Sequence, residues 1–139
     1  MKTVFADACY WIALLNPRDQ LHQKARDVSE TLGACRIVTS EMTLTEFLNG
    51  LSGFGPHMRE KAVRTVRSLE NSPNVEVVPQ TSHQFRKAVE KYSSTTDMQW
   101  GITDCSSFCI MEERGLTEAL THDHHFEQAS YRALLRDDP

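Results

Sequence analysis

Short apolar runs alternate along this chain with amphipathic stretches of helical period, and Gly or Pro breaks several of the joins. Residues 2–6, 36–39, 74–78 and 118–121 read as short buried strands. Residues 9–15, 21–32, 42–51, 57–69, 82–92 and 103–114 read as helices between them. The stops are explicit: Asn16-Pro17, Gly33, the Gly53-Phe54-Gly55-Pro56 break, the prolines at 73 and 79, and Gly115. Strands that alternate with helices predict an α/β fold, with a small parallel sheet covered by helices on both faces. Four strands can be placed. At 139 residues, with no repeat, low-complexity tract or interior linker, residues 1–139 are expected to form one domain.

Composition narrows the function classes. Hydrophobic residues make up 40% and charged residues 24%, a balance that excludes a disordered chain. The net charge of −4 excludes a protein that holds nucleic acid by bulk positive charge, but leaves local engagement open. The apolar run from Ala8 to Leu15 is far shorter than the roughly 20 residues of a membrane span. As a signal peptide it fails because Asp7 precedes it and no small-residue cleavage site follows. The expectation is a cytoplasmic protein without a membrane partner. Cys9, Cys35, Cys105 and Cys109 are expected as free thiols, because a chain of this length needs no disulfide framework. A zinc site joining Cys105 and Cys109 to His122, His124 and His125 is the sharper alternative, but no zinc-like spacing supports it. There is no dinucleotide loop, G-x-S-x-G or H-E-x-x-H.

In parallel sheets chemistry collects beyond the carboxyl ends of the strands. Asp7 follows the first strand and Asp123 the last. Glu46 lies in the helix after the second strand, and Asp104 opens the helix before the last. Each has an ordinary alternative: Asp7 as a helix cap, Asp104 as an acid at a helix N-terminus, Asp123 in an Asx turn, Glu46 as an exposed helix charge. The coincidence of four on one edge is what points to a site. Two carboxylates about 4 Å apart repel by about 4 kcal/mol at an effective dielectric of 20. Four together therefore need a cation or raised pKa values. All-oxygen ligation suits Mg²⁺ or Mn²⁺, and such ions suit phosphodiester hydrolysis by activated water, with no side-chain nucleophile. Without these four charges the net charge of −4 becomes zero, so the rest of the surface need not repel a polyanion.

Four pieces in order carry a resemblance. They are Val4-Phe5-Ala6-Asp7 with Trp11-Ile12-Ala13-Leu14-Leu15; Thr39-Ser40 with Thr43-Leu44-Thr45-Glu46-Phe47-Leu48; residues 100–108, from Trp100-Gly101-Ile102-Thr103-Asp104 to Phe108; and Ala119-Leu120-Thr121-His122-Asp123-His124-His125-Phe126. Together they resemble the PIN domain family, in the small form seen in VapC toxins of toxin–antitoxin pairs. The resemblance implies a Mg²⁺- or Mn²⁺-dependent endoribonuclease acting on RNA, often tRNA or rRNA. It also implies a homodimer and a cognate antitoxin that blocks the site. Carried onto this chain, it makes Asp7, Glu46, Asp104 and Asp123 the acidic quartet, with Asp7 and Asp104 the foremost direct ligands. Thr121 becomes a supporting hydroxyl and Asp97 an extra acid before the helix. The chain departs from the pattern after the first Asp, where Ala8 and Cys9 stand in place of a hydroxyl residue.

The contact surfaces stay open at this level. His122, His124 and His125 touch substrate phosphate or form a solvated loop. Arg59, Lys61, Arg64 and Arg67 are a solvated helix face, or contact RNA or the protein partner. Trp100 stacks a base or packs in the core. A phospho-acceptor receiver is disfavoured because Thr121-His122-Asp123 offers no Lys. A catalytically silent binding module of the same fold, acting through a protein partner, is the main alternative to the nuclease.

Overall fold

A computed structural model describes residues 1–136. The order is β1 (Lys2–Ala6), α1 (Ala8–Leu15), α2 (His22–Leu32), β2 (Cys35–Ser40), α3 (Glu41–Leu51), α4 (Pro56–Asn71), β3 (Val75–Val78), α5 (Ser82–Ser94), α6 (Ile102–Arg114), β4 (Glu118–Leu120), α7 (His124–Gln128) and β5 (Arg132–Ala133). The strands form one five-stranded sheet in the order β3-β2-β1-β4-β5, and every neighbouring pair is parallel.

Strand periodicity divides the core in two. Val4 and Ala6 of β1, with Leu120 of β4, face one cluster with Tyr10, Trp11, Leu44, Phe47 and Leu51. Phe5 and Ala119, one residue out of phase, face a second cluster with Phe108, Ile110, Met111 and Phe126. Successive strand side chains point to opposite faces, so these short strands are buried on both sides. This is the α/β/α arrangement expected from the sequence.

Two elements escaped the sequence pattern. β5 is two residues long, with Arg132 exposed and only Ala133 buried, so it offers no apolar run. The sheet therefore has five strands rather than four. α7 carries a single buried residue, Phe126, in an otherwise polar turn, so its helical period is invisible. The Gly-Pro break also proves to be a start as well as a stop: Pro56 occupies the first turn of α4, where its missing N–H costs nothing. At the end of α6, Gly115 adopts φ 64°, a left-handed cap that lets Leu116 N–H reach Met111 C=O at 2.9 Å. No helix among the described residues is long and apolar enough to cross a membrane.

Candidate functional site

The carboxyl ends of the central strands deliver the acids. Asp7 N–H donates to Leu120 C=O at 3.1 Å, which fixes the exit of β1 beside that of β4. At the end of β2, Thr39 donates to Ala6 C=O at 2.9 Å and accepts from Trp11 Nε1 at 3.2 Å, clamping α1 to the sheet. Ser40 then caps α3, accepting from Thr43 N–H at 3.0 Å, and Glu46 projects one turn further on. Asp104 sits in the first turn of α6 and accepts from Gly101 N–H at 3.2 Å. Asp123 caps α7, accepting from His125 N–H at 2.9 Å.

The structure brings Asp7, Glu46 and Asp104 within each other's electrostatic reach, and Asp123 within that of Glu46 and Asp104. Burial raises the Asp7 pKa to about 6; Glu46 and Asp104 push the same way, against hydrogen bonds from Thr121 and Ala8. Glu46 is exposed at the rim, yet partial desolvation raises it, with Asp104 and Asp123 adding to that and a Thr103 hydrogen bond opposing. Asp104 is raised by burial first, against a His125 hydrogen bond, with Asp123 raising it further. Asp7, Cys9, Ile12, Glu46, His122 and Asp123 line an open cleft of about 470 Å³. A second cleft, of about 550 Å³, lies elsewhere, beside Arg36, Glu76 and Arg114. There Glu76 and Arg114 already neutralise each other, whereas the acids of the first cleft repel.

The partners of the four carboxyls are neutral donors and imidazoles. Thr121, fully buried, donates to Asp7 Oδ2 at 2.8 Å and accepts from Asp123 N–H at 3.1 Å, so one hydroxyl links two acids. Cys9 Sγ lies 3.6 Å from Thr121 Oγ1 and 3.9 Å from Asp7 Oδ2, and accepts from His122 N–H at 3.4 Å. The thiol therefore stands where the hydroxyl of the family pattern was missed. Burial pushes its pKa up to about 11, so it is a protonated donor at neutral pH. The bland roles of Asp104 and Asp123 as helix-start acceptors coexist with their place in the cluster. Asp7 does not cap α1 with its side chain, which turns to Thr121 instead.

Hard oxygen donors, three of them with raised pKa values (Asp7, Glu46 and Asp104), are the chemistry a small dication relieves, so these residues fit such an ion. Asp123, His124 and His125 already place ligand atoms within 4.8 Å of one another.

The structure places the residues whose readings stood open. His125 belongs to no solvated loop: Nδ1 lies 2.9 Å from Asp104 Oδ2 and 3.4 Å from Asp123 Oδ1, on a half-buried side chain. His124 and His122 are exposed beside it. Sequence reasoning undervalued His125 because a one-turn polar helix carries no period. Trp100 packs edge-on against Phe108, with centroids 4.9 Å apart, and donates to Gln128 at 3.0 Å; this is core packing rather than a stacking platform. Cys105 and Cys109 are buried, free thiols in the body of α6, and Cys109 Sγ points to Lys87 C=O, so the cysteine–histidine zinc site is absent from the described residues. Asp97 is exposed in the turn between α5 and α6 and takes part in none of the hydrogen bonds or ion pairs that tie the cluster together. Arg64 and Arg67 line a separate shallow surface on α4 with Arg59, Glu60 and Val63, outside the acidic cleft.

Comparison with known proteins agrees with this geometry. The PIN domain model matches residues 4–130. No curated protein matches the chain. Among solved structures, the chain is similar to VapC20 of Mycobacterium tuberculosis, described as a sarcin-ricin loop cleaving toxin. That match has 24% identity and a TM-score of 0.81, over 92% of this chain and 95% of that one. It is also similar to FitAcB of Neisseria gonorrhoeae, with 16% identity and a TM-score of 0.65 over 94% of each chain. A third similar structure is VapBC2 of Rickettsia felis bound to a DNA fragment from their promoter, with 10% identity and a TM-score of 0.62 over 94% and 96%.

Proposed function

We propose that this chain, which belongs to the PIN domain family, is a divalent-metal-dependent endoribonuclease and the toxin of a toxin–antitoxin pair. The observation that carries the reading is the convergence of Asp7, Glu46, Asp104 and Asp123 from four segments into a chain of charge repulsion beside one cleft, which Asp7, Glu46 and Asp123 line. An idle cluster of this kind destabilises a fold, which argues against a catalytically silent module.

Asp7, Glu46, Asp104 and Asp123 would hold Mg²⁺ or Mn²⁺, with Asp7 and Asp104 foremost. When bound, such an ion lowers the pKa of water and stabilises charge at a phosphodiester. The chain's own contribution is orientation. Thr121 and Cys9 fix Asp7 from behind, Gly101 N–H fixes Asp104, and His125 N–H fixes Asp123. The open cleft admits a strand rather than enclosing a small molecule. RNA, including tRNA or rRNA, is the proposed substrate. A homodimer and a cognate antitoxin covering the cleft are the proposed partners, and a single domain in the cytoplasm is the proposed setting. Asp97 and the α4 arginines are left without a role in the chemistry.

The test is cleavage of host RNA by the purified chain with Mg²⁺ or Mn²⁺, with and without EDTA. Cutting is expected with metal only, and lost in Asp7→Asn and Asp104→Asn proteins that keep the parent circular dichroism. Parent-rate cleavage by both variants would refute the reading.

A further inference from the structure

We propose that the rim beside the cleft carries a mixed nitrogen–oxygen site, in which His125 and His124 join Asp104 and Asp123 to bind a transition-series dication in preference to Mg²⁺. This rests on the acidic cleft being a metal site, and adds which chemical class of ion it selects.

The geometry is close to ligand spacing already. His125 Nδ1 stands 2.9 Å from Asp104 Oδ2 and 3.4 Å from Asp123 Oδ1. His124 Nδ1 stands 3.7 Å from the same Asp123 oxygen. Ligand atoms about 2.1 Å from an ion are roughly 3.0 Å apart at right angles and roughly 3.4 Å apart in a tetrahedron. The 3.4 Å contact matches the tetrahedral spacing; the 2.9 Å contact is a hydrogen bond whose shared proton the ion would displace to solvent, and His124 needs only a small swing of an exposed ring. The two imidazole centroids are 4.5 Å apart, so both rings stand at one point of the rim.

Donor chemistry then sets the preference. Imidazole nitrogen suits Mn²⁺, Co²⁺ and Zn²⁺ in increasing order, whereas Mg²⁺ keeps oxygen ligands and its own waters. Asp7, in contrast, is surrounded by a hydroxyl, a thiol and backbone N–H, and offers oxygen alone. Asp7 is thus held without an imidazole partner, whereas Asp104 and Asp123 have one.

The experiment is metal binding without RNA, on the whole chain. Co²⁺ is titrated by its visible absorption, and Mg²⁺ by calorimetry. Mn²⁺ bound to the parent protein is examined by pulsed paramagnetic resonance for nitrogen coupling. Nitrogen coupling is expected in the parent. In His125→Ala the Co²⁺ Kd should weaken by at least about tenfold, while that for Mg²⁺ moves less than about twofold. His124→Ala should show a smaller loss of the same kind. Unchanged Co²⁺ affinity in both variants, or no nitrogen coupling in the parent, overturns the inference. Because the coupling is read on the parent chain, a variant that fails to fold does not shelter it. Asp7→Asn and Asp104→Asn separate the two levels: if they too leave every dication's affinity unchanged, the metal-site reading falls as well. If they weaken Mg²⁺ while the histidine variants leave Co²⁺ alone, only the nitrogen ligands are refuted.

Discussion

The two sides of the acidic cleft hold their carboxylates by opposite means. Asp7 is 7% exposed and meets only neutral donors, Thr121 and Cys9 among them. Asp104 and Asp123, with side chains 17% and 34% exposed, share an imidazole and partial contact with water. Burial raises the pKa of both Asp7 and Asp104, but only Asp104 has an imidazole partner to offset it.

The largest expected effects break or keep this contrast. Asp7→Asn and Asp104→Asn should each reduce metal-dependent RNA cleavage by more than about a hundredfold, measured as initial rates at saturating Mn²⁺. Their metal-free stabilities should part company. Burial lifts the folded Asp7 pKa from 3.8 to about 6, so the folded state holds an extra proton between those values. Stability must then fall as pH rises through that window and stay low above it. A shift of this size corresponds to about 3 kcal/mol. Asp7→Asn should recover up to that much in urea unfolding at pH 7 and almost nothing at pH 3. Asp104→Asn should change stability by less than about 1 kcal/mol, because its imidazole partner offsets part of the desolvation. Equal gains in both variants would erase the distinction between the two sides.

Dication binding should act on the same term. At 100 times its Kd, Mg²⁺ or Mn²⁺ should raise unfolding free energy by about 2.7 kcal/mol. It should also flatten the decline between pH 4 and about 6, since the ion displaces the proton that Asp7 otherwise takes. EDTA should restore the slope. A decline that persists with bound ion would place Asp7 outside the coordination sphere.

Next in size is the hydroxyl that connects the sides. Thr121→Val keeps the shape but removes the donor to Asp7 and the acceptor for Asp123 N–H, both in a fully buried position. A loss of about 2 kcal/mol is expected at pH 7, with a further rise of the Asp7 pKa. Thr121→Ser should restore most of it. If Val is neutral, the two sides are independent.

Legibility in the sequence followed the same physics. β1 to β4 could be read because each carries a short apolar core, even where exposed Arg36 and Glu76 interrupt β2 and β3. The four acids could be placed because each follows, or precedes by one helix, such a strand. β5 and α7 could not, for Ala133 and Phe126 are their only buried side chains. The same blindness hid His125, since nothing local reveals that a polar turn will fold over Asp104. Cys9 was hidden differently: within an apolar run a thiol reads as filler, and only the contact with Thr121, 112 residues away, makes it a polar partner.

Cys9 provides the smallest and most selective test. Its thiol pKa of about 11 keeps the proton on sulfur across the neutral range, so the side chain acts as a weak donor toward Asp7 and Thr121. Serine preserves a donor of smaller radius, and Cys9→Ser should shift stability by less than about 1 kcal/mol and cleavage by only a few-fold. Cys9→Ala also removes the acceptor for His122 N–H, and should be the worse of the two because that amide begins the turn carrying Asp123. An inverted order, with Ala close to the parent and Ser poor, would mean that the position needs apolar volume rather than a proton. Thr121 would then be left as the side-chain donor to Asp7, beside the Ala8 backbone N–H.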